Sequence, residues 1–123
     1  MMGGSKPYDL EERLIAFAIL ILEITEDLPK TRTGNHIAGQ LVKSGTSSAL
    51  HYGEVQSAES RKDFIHKALV ILKELRETFI CLKIIKRKLL LRSSKLDSGL
   101  TECNELISIF VASLQTAKSK NRR

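Results

Sequence analysis

The stretch that most constrains this chain is Lys43 to Ile85, KSGTSSALHYGEVQSAESRKDFIHKALVILKELRETFICLKII. Its first third is crowded with small and hydroxyl residues: Ser44, Gly45, Thr46, Ser47, Ser48 and Ala49. Its remainder spaces Ile65, Ala68, Leu72, Leu75, Phe79 and Leu82 three and four residues apart, and Leu89 continues the row. That period puts the row on one stripe of an α-helix, widened by Phe64, Ile71 and Ile85. A long one-sided helix needs helical partners, and a small-residue helix lets a partner come close.

The other segments supply those partners. At 123 residues the chain is the size of one domain. Its only prolines are Pro7 and Pro29, which leaves long stretches open to helix. Helix 1 starts at Asp9, a capping residue with Glu12 three positions on, and stops before Pro29. Leu10, Leu14, Phe17, Ile21, Ile24 and Leu28 form its inner row. Ile15, Ile19 and Leu22 form a second row, wider than one core needs, which reads as a subunit interface. Helix 2 spans about Thr33 to Val55, with Ile37, Leu41, Ser48, Tyr52 and Val55 inward. Gly39, Gly45 and Gly53 each weaken a helix by up to about 1 kcal/mol relative to Ala. Three in one helix point to close contact with another backbone. Helix 3 spans about Ala58 to Leu91, followed by a polar break from Ser93 to Gly99. Helix 4 spans about Leu100 to Ala117, with Leu100, Cys103, Ile107, Phe110 and Leu114 inward. The expected architecture is all-α, an antiparallel up-down-up-down four-helix bundle over residues 9–117. Residues 1–8 read as a flexible N-terminus and 118–123 as a basic tail.

That topology sorts the charge. The net charge is +6, and an acidic partner suits it. The end of helix 1 and start of helix 2 share one end of the bundle with the end of helix 3 and start of helix 4. Lys30, Arg32, Lys86, Arg87, Lys88, Arg92 and Lys95 gather there, against Glu26, Asp27 and Asp97. A phosphate backbone is contacted by such a surface without special geometry. Sequence-specific reading has no helix-turn-helix, zinc-finger or aromatic platform to rest on.

Catalytic patterns are lacking. His51, Glu54, Glu59, Asp63 and His66 straddle the corner between helices 2 and 3. Asp63-x-x-His66 is half of a carboxylate-bridged metal motif, but the second half is missing. The corner reads instead as a salt-bridged junction with Ser57 as a candidate cap. Glu23, Glu74 and Glu77 are acids among apolar neighbours, suited to pairing with Lys43 or Arg76. Ser44, Ser47 and Ser48 have no His–Asp arrangement at a recognisable spacing, and the glycines fit no phosphate-binding loop. Cys81 and Cys103 read as reduced core thiols. Neither a metal nor a cofactor is expected. Leu14 to Leu22 is a nine-residue apolar run after three acids, too short for a span of about 20 and wrongly flanked for a leader. The expected location is the cytoplasm.

Three runs carry a family resemblance. They are Lys43-Ser44-Gly45-Thr46-Ser47-Ser48-Ala49 followed by Glu54, then Lys62-Asp63-Phe64-Ile65, then Lys73-Glu74-Leu75-Arg76-Glu77-Thr78. Over about residues 9–90 the chain resembles the small four-helix bundle proteins encoded in intervening sequences of 23S ribosomal RNA genes. It departs from their pattern at His51, where Asn is more usual, and at Ser48, where an aliphatic is common. The resemblance implies a homopentamer. More distantly, the chain is similar to the accessory variability protein of diversity-generating retroelements, a basic pentamer that binds nucleic acid and a reverse transcriptase. Nothing catalytic carries over. The leading reading is a non-enzymatic oligomer that binds RNA or DNA backbone through its basic end. The alternative is a structural or adaptor oligomer whose partner is another protein.

Overall fold

The computed structural model describes residues 9–121, which form α1 (Leu10–Glu26), α2 (Arg32–Gln56), α3 (Arg61–Arg87) and α4 (Ser94–Asn121). Each helix packs on its sequence neighbours and α4 closes on α1, which makes the antiparallel up-down bundle. Residues 1–8, and Arg122 and Arg123 of the tail, lie outside the described residues.

Every helix begins at a polar side chain that accepts from a free backbone N–H. Asp9 accepts from Glu12 at 3.2 Å, Thr31 from Gly34 at 3.0 Å, Ser60 from Asp63 at 3.0 Å and Ser93 from Leu96 at 3.1 Å. Such caps are worth about 1 kcal/mol each. Two of them correct the sequence reading. The α3 cap is Ser60; Ser57 instead ends α2, where its backbone N–H donates to the Gly53 carbonyl. The Ser93 cap starts α4 where a polar break was expected. Gly99 is buried in that helix, where an added Cβ would lie 3.0 Å from Ile24 Cδ1. At its other end α4 runs on through Lys118 and Lys120 to Asn121.

The core is a single apolar cluster. Leu14, Phe17, Ile21 and Ile24 come from α1, Leu41 from α2, Ile71, Leu75, Leu82 and Ile85 from α3, and Leu96, Leu106 and Phe110 from α4. Burying each such side chain contributes roughly 1.5–3 kcal/mol. Of Gly39, Gly45 and Gly53, Gly45 alone meets a neighbour, and that neighbour is the Ile21 side chain rather than backbone; Gly34, at the start of α2, lies against the Pro29 carbonyl. Gly39 and Gly53 are exposed, with nothing within 4 Å of an added Cβ.

The end of α3 departs most from the periodic reading. Lys88 is its C-cap, and Leu89 follows in the left-handed region at φ 60°. The Leu89 N–H donates to the Lys86 carbonyl at 3.2 Å and the Leu90 N–H to the Ile85 carbonyl at 3.0 Å. This double bond pattern is the Schellman stop, whose left-handed residue is usually glycine. A leucine there costs roughly 1–2 kcal/mol in backbone strain. Leu89 is therefore outside the helix and 62% exposed, not part of the inner stripe.

Candidate nucleic-acid interface

The connections α1–α2 and α3–α4 lie at the same end of the bundle. Contacts between the helices pin it: Lys86 Nζ sits 2.6 Å from Asp97 Oδ1, Lys95 Nζ sits 3.9 Å from Glu23 Oε1, and Gly99 seats against Ile24. Lys30, Arg32, Lys86, Arg87, Lys88, Arg92 and Lys95 are all exposed. Lys30 Nζ reaches the Glu26 carbonyl at 3.5 Å. Among the described residues, Arg32, Arg87, Lys88 and Arg92 make no ion pair within 4.0 Å.

Helix electrostatics explain part of this set. Lys86 and Arg87 lie in the last turn of α3, where the dipole favours a cation. Arg32 and Lys95 lie in the first turns of α2 and α4, where it disfavours one. Lys95 is compensated by Glu23; Arg32 is not. Long, exposed cations without protein partners are suited to phosphate oxygens and release counterions on contact.

Other polar groups are held by one another. A cleft of about 310 Å³ between α2 and α3 is lined by Lys43, Ser44, Ser47, Glu74, Glu77 and Cys81, so two of the runs that carry the resemblance face each other there. Glu74 Oε1 lies 3.0 Å from His51 Nδ1, so its partner is neither Lys43 nor Arg76. Thr78 and Ser44 join their hydroxyls at 3.0 Å beneath the cleft. Burial pushes the Cys81 thiol up, with Glu77 adding to the shift. Burial pushes the Cys103 thiol further, up to about 12, and its Sγ donates to the Leu75 carbonyl. Both sulfurs are protonated near neutral pH and are poor nucleophiles.

The corner between α2 and α3 is a knot of local bonds. Asp63 pairs with Lys67 at 3.0 Å and accepts from the Glu59 N–H at 3.2 Å; these hold its carboxyl below the usual range, the Lys67 bond most. No group of three or more metal-ligating side chains converges among the described residues. Sequence reasoning missed the Arg13 fork on α4, with Glu102 at 2.7 Å and 2.9 Å and Glu105 at 2.6 Å. Its partners lie 89 and 92 residues away.

Comparison with protein-family models finds no match, and comparison with curated proteins finds none. Among solved structures, the chain is similar to a protein of unknown function from the S23 ribosomal protein family of Bacteroides thetaiotaomicron. The two superpose with a TM-score of 0.77 and 25% identity, over 85% of this chain and 96% of that one. The likeness to the S23, 23S rRNA intervening-sequence family is thus shown. The match covers 85% of this chain, more than residues 9–90 alone. None of the described helices is long and apolar enough to cross a membrane.

Proposed function

We propose that this chain is a non-enzymatic, oligomeric four-helix bundle that contacts RNA or DNA backbone through Lys30, Arg32, Lys86, Arg87, Lys88, Arg92 and Lys95. The observation that carries the reading is the basic end itself. Among the described residues, four of its cations are exposed without an ion pair, and Arg32 stands against its helix dipole. The helix dipole accounts for Arg87 but not for Arg32, and a polyanion suits the whole set. Self-association is supported by the outward side chains of Ile15, Ile19 and Leu22 on α1 and Val42 and Leu50 on α2, all exposed. A pentamer is the stoichiometry that the family resemblance implies. Assembly around an axis would repeat the basic end and multiply its field. The cytoplasm is the compartment that fits this work.

The test is a triple charge reversal, Arg87→Glu, Lys88→Glu and Arg92→Glu. Binding to a single-stranded oligonucleotide should fall at least tenfold, and the slope of log affinity against log salt should flatten by about 0.7 for each phosphate no longer held. Helicity and oligomeric state should not change. Unchanged affinity and slope would overturn the proposal. A second reading, an adaptor that binds another protein, is supported by Leu69 and Ile80, exposed on α3 away from the basic end.

A further inference from the structure

Leu89 is the residue that the fold accounts for least. Glycine would relieve its left-handed backbone, because the clash involves Cβ. A strained leucine is usually compensated by burial of its side chain, yet 62% of this one is exposed. The apolar closure of the helix stop belongs to Leu90, which packs against the core. The Leu89 side chain thus adds little to the fold while its backbone strains it. An outlier of this kind points towards function.

Its surroundings narrow the ligand. Leu89 stands at the basic end between Lys88 and Arg92, both exposed and, among the described residues, without an ion pair. Leu28 at the same end is buried, and Leu90 and Leu91 are half-buried. The end therefore offers the most exposed of its apolar side chains among cations, with Ile84, 43% exposed, one helical turn back. A membrane surface is gripped by a broad apolar face, which Leu89 and Ile84 among so many cations do not make. A fully paired duplex presents phosphates here and hides the faces of its bases. A single strand presents phosphates beside exposed base faces, and both halves of the site are used.

We propose that Leu89 is a base-contacting residue: it packs on an unpaired nucleobase while Arg87, Lys88 and Arg92 hold the neighbouring phosphates. This rests on the reading of the basic end as a nucleic-acid surface. The test compares the full chain with Leu89→Gly and Leu89→Asn, two residues that accept the left-handed backbone without an apolar side chain. The probes are a single-stranded oligonucleotide and an abasic strand with the same number of phosphates. The native chain should prefer the base-bearing strand by about tenfold, the scale of burying one exposed leucine. Both variants should lose that preference, bind the abasic strand as the native chain does, and keep its salt slope. Leu89→Gly should also melt higher, which distinguishes a missing side chain from a failing fold. Equal binding of both strands by the native chain overturns the role of Leu89 and leaves the basic-end reading standing. So does an undiminished preference in either variant. Failure of the native chain to bind either strand overturns both. Capture by anionic lipid vesicles that depends on Leu89 overturns the base contact in favour of a lipid surface.

Discussion

The Ile21 side chain occupies the space that a Cβ on Gly45 would need, with Cγ2 only 2.5 Å from that position. Ile21 is fully buried, so it has nowhere to retreat. Gly45→Ala should therefore destabilise the fold by about 1–2 kcal/mol: overpacking costs roughly 1–3 kcal/mol, and the better helix propensity of alanine offsets up to about 1. Gly39→Ala and Gly53→Ala meet nothing and should stabilise by up to about 1 kcal/mol each. Urea midpoints at one fixed protein concentration would show the opposite signs. Stabilisation by Gly45→Ala would mean that α1 and α2 are further apart than described.

Ser48 on α2 is fully buried, and its hydroxyl has no hydrogen-bond partner among the described residues. An unmet buried hydroxyl costs about 1–3 kcal/mol, so Ser48→Ala should raise stability by about 1 kcal/mol. This is also a position where the resembled family commonly carries an aliphatic residue, as an apolar core position would favour. A lower thermal midpoint for Ser48→Ala would show that the hydroxyl has a partner after all.

What the sequence made legible was the pattern that recurs. Asp9 caps where its spacing says, and Leu14, Phe17, Ile21 and Ile24 turn inward with the period. Misreadings arise where one residue stands in another's usual place. Glycine marks a left-handed helix stop, and here Leu89 holds it, so the periodic row runs on through the true end of α3. Gly99 and its polar neighbours look like a break, yet the helix runs through them from the Ser93 cap, and the glycine lets Ile24 approach. Charge is legible as a set at one end, because topology alone brings it together. Its pairing is not: Glu23 with Lys95, His51 with Glu74 and Arg13 with Glu102 join residues far apart in sequence, and no local spacing encodes them.

The cysteines make a prediction about pH. The folded Cys103 thiol is raised from an ordinary value near 9 to about 12 by burial, with Glu102 adding to the shift. A group raised by folding contributes stability that is complete below its unfolded value and lost as pH climbs through its folded one. Stability should therefore decline between about pH 9 and pH 12, and Cys103→Ala should flatten that decline. A thiol reagent near neutral pH should label half-buried Cys81 slowly and Cys103 only as the chain unfolds. Rapid labelling of both sulfurs under native conditions would contradict the buried, protonated state of Cys103.

Ile19 tests the apolar face of α1 without touching the core. It is 51% exposed, flanked on the same side by Ile15 at 39% and Leu22 at 38%. Ile19→Lys replaces an exposed apolar side chain on a helix with one of similar or better helix propensity, so a monomeric fold should change by no more than about 0.5 kcal/mol. If the face is buried between copies, the same substitution places a charge in an apolar interface, and the assembly should dissociate. Sedimentation at micromolar concentration should then give an oligomer for the native chain and a smaller species with native helicity for Ile19→Lys. A native chain that sediments as a monomer would remove the oligomer from the proposal. An Ile19→Lys oligomer of unchanged size would move the interface elsewhere, towards the exposed Leu69, Ile80 and Ile84 of α3.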